Sequence, residues 1–120
     1  MNIEEIRNYC LQKPGSTEEF PFGPDTLVFK VSGKIFALAG LDAVPVNLNL
    51  KCDPARALNL REEFEDKITG AYHMNKKHWN SISPEVLPPA LVTELIDHSY
   101  ELVVNGLTKK QQTELKNSEL

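Results

Sequence analysis

A chain of 120 residues is long enough for one domain with its own core and too short for two. Hydrophobic residues make up 41%, charged residues 25% and aromatics 8%, a globular mixture that excludes collagen-like and low-complexity chains. With 17 acids against 13 Lys and Arg the net charge is −4, so no bulk positive field draws a polyanionic partner.

Asn2 and Glu5 have the spacing of a capping box, and Ile3, Ile6 and Cys10 recur at helical intervals behind them. Lys13-Pro14-Gly15 should close that helix. Residues 16–25 contain Phe20-Pro21-Phe22-Gly23-Pro24, a composition that predicts a shaped loop whose two rings plug the edge of the core. Over 26–40, two β-rich runs flank Ser32-Gly33, the signature of a two-residue hairpin. In that register Leu27, Phe29 and Val31 share a face with Lys34, Phe36 and Leu38, while Val28, Lys30, Ile35 and Ala37 take the other.

Over 46–51, Val46, Leu48 and Leu50 alternate with Asn47, Asn49 and Lys51, which predicts one packed and one wet face. Asp53-Pro54 opens a second helix as N-cap and first helical residue. Its apolar stripe is Ala57, Leu60 and Phe64, and Glu62, Glu63, Glu65 and Asp66 face solvent. Residues 69–74 and 78–83 read as two short strands around Asn75-Lys76-Lys77. Pro88-Pro89 introduces the longest helix, 90–105, with Val92, Leu95, Ile96, Ser99 and Val103 inward and Gly106 as its stop. The polar residues 108–120 lose periodicity and are expected to fray beyond a single domain at 1–107.

The resulting order, α-β-β-β-α-β-β-α, predicts an α+β two-layer sandwich: a five-stranded antiparallel sheet with all helices on one face and the other face open. Cys10 and Cys52 lack a CxxC spacing and read as buried thiols. No apolar run approaches the ~20 residues that span a bilayer. Residues 1–11 do not resemble a signal peptide, so a cytoplasmic monomer without membrane attachment is expected.

Between Lys67 and Pro84 there is no acid, while Lys67, Lys76, Lys77, His73 and His78 fall in that window. Tyr72 and Trp79 flank the lysine turn, which sets ring faces beside cations, the pairing that stacks bases while holding phosphates. The same residues also read as half-buried sheet aromatics beside a solvated turn. His73 and His78 alone make a poor metal site, no third ligand stands near them in sequence, and no metal or other cofactor is expected. His98 on the last helix reads as a packed or capping histidine. No GxSxG, glycine-rich phosphate loop or HExxH is present, so no enzymatic activity is expected.

Over about 3–109 the chain resembles the MmcQ/YjbR family of small bacterial proteins. The resemblance is carried by Ile6-Arg7, Tyr9-Cys10-Leu11, Pro14-Gly15, Phe20-Pro21-Phe22-Gly23, Val28-Phe29-Lys30-Val31 and Gly33-Lys34-Ile35-Phe36-Ala37. It continues through Leu50-Lys51-Cys52-Asp53-Pro54, Tyr72-His73-Met74-Asn75-Lys76-Lys77-His78-Trp79, Ser99-Tyr100 and Leu102-Val103-Val104. The resemblance implies a CyaY-like or secretion-chaperone-like fold and DNA binding through a double-wing arrangement. On this sequence the implied surface is Lys34, Lys51, Tyr72, His73, Asn75, Lys76, His78 and Trp79, to which the turn adds Lys77. Two alternatives stand beside it: a chaperone-like protein adaptor using Lys30, Asn47, Asn49 and Lys51 on the open face, and a small-anion pocket near His73 and Lys51.

Overall fold

The computed structural model describes residues 1–71 and 74–118. Helix α1 (Ile3–Leu11) begins at the reciprocal cap: the Glu5 amide donates to Asn2 Oδ1 at 2.9 Å and the Asn2 amide to Glu5 Oε1 at 3.0 Å. Four strands follow, β1 (Ser16–Glu19), β2 (Thr26–Val31), β3 (Lys34–Gly40) and β4 (Asn47–Lys51). Helix α2 (Pro54–Glu63) is capped by Asp53, whose Oδ2 accepts the Arg56 amide at 3.1 Å. Strands β5 (Ile68–Gly70) and β6 (Trp79–Ile82), α3 (Pro89–Asn105) and α4 (Lys109–Ser118) complete the chain.

The strands form one antiparallel sheet in the order β1-β2-β3-β4-β6-β5. The α+β class and its two layers agree with the sequence, but the sheet has six strands rather than five. The additional strand is β1, drawn from residues expected to be a loop. Ser-Thr-Glu-Glu has no apolar alternation, and it pairs with β2 through the backbone from Ser16↔Val31 to Glu19↔Val28. Side chains then fasten this edge. Glu18 accepts from Arg7 of α1 (Nε at 2.7 Å, a terminal guanidinium nitrogen at 2.5 Å), and Glu19 pairs with Lys30. The aromatic loop behind β1 does not plug the core: Phe20 is 51% exposed and Phe22 67%.

Ser32 and Gly33 both adopt left-handed backbone angles, φ 49° and 78°, as a type I′ hairpin turn requires. Past the turn the register runs Val31↔Lys34 and Lys30↔Ile35, then steps to Phe29↔Ala37, which leaves Phe36 as a bulge without a partner in β2. The bulge corrects the expected faces of β3. Ala37 and Ala39 join Phe36 in the core beneath the helices, whereas Leu38 turns to the open face opposite Val28 and Asn49. Ile35 and Leu38 line the same depression on that side.

The core layer contains Leu27, Phe29, Phe36, Leu48, Leu50, Ile68 and Ile82 from the sheet. Helices supply Ile6, Cys10, Ala57, Leu60, Val92, Leu95, Ile96 and Val103. The inward positions read for α3, Ser99 included, are all buried. Gly106 ends α3 in a right-handed conformation, φ −85°, and not in the left-handed one that favours glycine at a helix stop.

Residues expected to fray instead form α4. Thr108 and Gln111 make a second capping box, with the Thr108 amide on Gln111 Oε1 and the Gln111 amide on Thr108 Oγ1, both at 3.1 Å. Gln112 Nε2 donates back to the carbonyls of Val104 and Leu107, each at 3.1 Å. Leu115 packs over Gly15, where an added Cβ would stand 2.4 Å from Leu115 Cδ1. Among the described residues, no helix is long and apolar enough to cross a membrane.

Candidate functional site

The helices leave one face of the sheet uncovered, and the strand ends decide what it presents. Lys34 starts β3 directly after the hairpin turn. Lys51 ends β4 opposite Trp79, the first residue of β6. Directly opposed side chains on one face stand close enough to share a ligand. Lys34, Lys51 and Trp79 do line one cavity of about 470 Å³, closed by Ile35, Met74 and the end of α3. The indole is half-buried.

Ser99 fixes the position of Lys51. The bulge at Phe36 ends regular β3–β4 pairing at Ala37↔Leu50, and the Ser99 hydroxyl occupies the gap. It donates to the Phe36 carbonyl at 2.6 Å and accepts the Lys51 amide at 2.9 Å, itself fully buried. One side chain of α3 thus satisfies two backbone groups that the bulge would orphan.

Charge on this face and at its strand-end edge is selective. Lys30 is neutralised by Glu19. Among the described residues, Lys34 and Lys51 form no ion pair with an acid. A second depression of about 510 Å³ adjoins the first, because Ile35 and Met74 line both. Its floor is Ile35 and Leu38, and Asn47, Asn49 and Asp42 supply its polar groups. Asn47 Oδ1 accepts the Gly40 amide at 3.2 Å. The Asn49 carboxamide, which carries both a donor and an acceptor, makes no hydrogen bond among the described residues.

The lysine turn lies elsewhere. Lys76 and Lys77 border a separate depression of about 360 Å³ beside α2, with Pro54, Leu58 and Arg61. The anticipated single set of cations therefore divides: Lys34 and Lys51 stand with Trp79, while Lys76 and Lys77 stand apart from them. Asn75 organises the turn, its Oδ1 accepting the Lys77 amide at 3.0 Å and its carbonyl accepting the amides of His78 and Trp79 at 3.0 and 2.9 Å. The His78 carbonyl accepts the Cys52 amide at 2.8 Å, and its side chain is half-buried. Tyr72 and His73 lie outside the described residues.

Sequence reasoning missed Arg61. Its Nε donates to Asn80 Oδ1 at 2.7 Å, and a terminal nitrogen reaches the carbonyls of Lys76 and, at 3.5 Å, Trp79. Asn80, 2% exposed, passes the link to α2 through the Ala57 carbonyl at 3.4 Å. The segment leading into Trp79 is thereby tied to α2. The signal was available, since Ala57, Leu60 and Arg61 have i, i+3, i+4 spacing and share the inward side of the helix.

The titratable groups away from this face are structural. Desolvation pushes the Cys10 thiol up to about 12 and raises the Cys52 thiol as well. His98 Nε2 accepts the Asp53 amide at 3.1 Å and pins the start of α2 to α3. Tyr9 and Lys13 both bond Asp97, and the Tyr100 hydroxyl donates to the Pro14 carbonyl at 2.5 Å, which clamps α1 to α3. Among the described residues, no three His, Cys, Asp or Glu gather as metal ligands.

The YjbR family model matches residues 11–102. The chain is 43% identical over 115 residues to the protein YbdF of Escherichia coli O157:H7, covering 94% of this chain and 93% of that one. It is 29% identical over 113 residues to the protein YjbR of Escherichia coli K12, covering 93% and 95%. Its fold is similar to the crystal structure of a Deinococcus radiodurans protein with the DUF419 domain, at TM-score 0.90 and 38% identity over 96% of this chain and 88% of that one. A Pseudomonas syringae structure matches at TM-score 0.72 and 28% identity, covering 85% of this chain and 98% of its own. Sequence and architecture agree, and the chain belongs to the YjbR family.

Proposed function

We propose that this protein is a non-enzymatic nucleic-acid-binding module that takes single strands at the strand-end edge of the open face of its sheet. The observation that carries this reading is the shared cavity of Lys34, Lys51 and the half-buried Trp79. Two ammonium groups beside a ring face are the elements that hold phosphates while a base stacks. A stacked duplex offers no free base face to an indole in a concave site, which favours a single strand over double-stranded DNA.

Among the described residues two cations, Lys34 and Lys51, line this cavity, so phosphate neutralisation is limited. Two phosphate contacts on a single strand give a slope of log K against log salt near −1.4, or about a sevenfold loss of affinity between 50 and 200 mM salt. Trp79 is the sole tryptophan and reports on its own site. Titration with single-stranded oligonucleotides should quench its fluorescence saturably, and Lys51→Ala should flatten the salt slope by ~0.7. Absence of quenching at 50 mM salt, or binding indifferent to salt, overturns the reading.

A second reading has one specific observation in its favour. Phe20, Phe22 and Val44 are 51%, 67% and 98% exposed, an apolar presentation suited to a protein partner. A complex that survives nuclease treatment and is lost in the Phe20→Ser, Phe22→Ser double variant would favour that adaptor role.

A further inference from the structure

We propose that the depression of the open face and the one adjoining it at the strand ends form one bipartite nucleotide site, with the phosphate at Lys34 and Lys51 and an amino-bearing base, adenine foremost, against Asn49. The proposal rests on the nucleic-acid reading for its anionic half and adds to it a base-reading half.

Three observations support the division of labour. The cavities adjoin at Ile35 and Met74, which line both, and their volumes, about 510 and 470 Å³, are each within the range of small-molecule sites. Their polar groups differ in kind: ammonium groups at one end, and two carboxamides and the Asp42 carboxylate at the other. Ile35 and Met74, common to both, and Leu38 beside the amides give an apolar lining suited to the face of a heterocycle. An anion bound at the lysines therefore places any attached planar group toward the amides.

Asn47 and Asn49 are not equivalent. The Asn47 acceptor is occupied by the Gly40 amide, and a Cβ on Gly40 would lie 2.4 Å from that oxygen, so Asn47 is held as part of the wall. The Asn49 carboxamide, by contrast, makes no hydrogen bond among the described residues and lines the depression. A carboxamide pairs two-fold with adenine, accepting from the amino group and donating to the adjacent ring nitrogen. Asp42 in the same depression offers only acceptors and so favours a base with an exocyclic amine. Thymine lacks one. A two-fold pair discriminates between bases by about 5- to 150-fold.

The test compares oligodeoxyadenylate with oligothymidylate of equal length by Trp79 fluorescence at 50 mM salt, and adds AMP alone. The expected result is at least fivefold tighter binding of the adenine strand, levelled by Asn49→Ala with the salt slope unchanged. Side-chain amide resonances of Asn49 in the unmutated protein should shift with adenine ligands, a readout that does not depend on how the variant folds. If AMP binds as tightly as the strand, the ligand is the free nucleotide; if only the strand binds, it is nucleic acid. Equal affinity for both strands, or an unmoved Asn49 amide, overturns the base-reading half and leaves the nucleic-acid reading intact. No quenching by any of the three overturns both.

Discussion

Replacing Ser99 with alanine removes an oxygen that two backbone groups depend on. The hydroxyl is fully buried between α3 and the sheet, bonded at 2.6 Å to the Phe36 carbonyl and at 2.9 Å to the Lys51 amide. The Phe36 carbonyl stays away from water when it goes, because Phe36 is 0% exposed, and Leu50 just before the Lys51 amide is 2% exposed. An orphaned buried donor or acceptor costs about 1–3 kcal/mol, so the pair should cost about 2–4 kcal/mol after some relaxation of the bulge. In a domain of this length that lowers Tm by roughly 6–20 °C. Thermal unfolding measures the loss, with Thr93→Ala as control on the same helix. That hydroxyl bonds only the Ala90 carbonyl within α3, and its removal should change stability by under about 0.5 kcal/mol. Amide exchange provides a second measure: Lys51 should lose protection in Ser99→Ala ahead of Leu48 in the middle of the strand. A Tm within about 3 °C of the parent, with Lys51 still protected, would refute the view that Ser99 holds the bulge and the site beside it.

Gly15→Ala forces a side chain onto φ +68° and into Leu115, so α4 should detach; amide exchange over 109–118 should rise, as it should in Leu115→Ala, while only the glycine variant adds the ~1–2 kcal/mol of left-handed strain. Arg61→Ala should cost about 1–3 kcal/mol by leaving buried Asn80 half-bonded, with faster exchange over 74–79 in the same spectra. The Cys10 thiol, raised in the fold from 9.0 to about 12, supports stability fully below pH 9 and loses that contribution as pH rises toward 12; alkaline unfolding should be less steep in Cys10→Ala. Native protein at pH 8 should leave both buried thiols unreacted with a thiol-specific disulfide reagent, and unfolded protein should titrate two.

Much of the architecture is local chemistry and is legible in the chain. Asn2 with Glu5, and Asp53 with Pro54, mark helix starts because capping requires only residues three apart. The alternation in β4 and the stripe of α3 emerge because burial on one side imposes the period of the element. Thr108 with Gln111 carried the same local signal for α4, obscured by a polar composition that has little apolar surface to bury beyond Leu115. The Ser32-Gly33 turn announces its hairpin, and the family resemblance follows from the same ordered blocks.

What the residues alone determine is the α+β class, the helix caps, the hairpin and the identity of the apolar stripes, since each depends on neighbours within a few positions. The tertiary structure decides the rest. β1 exists because β2 offers it an edge and Arg7 an ion pair, neither visible in Ser-Thr-Glu-Glu itself. The bulge at Phe36 is stable because Ser99, 63 positions away, satisfies the groups it frees. That one-residue step turns Leu38 outward and gives the open face its floor. Which lysines share a depression depends on which strand ends the sheet places side by side, so Lys34 and Lys51 line one with Trp79 while Lys76 and Lys77, nearer to it in sequence, border a different one.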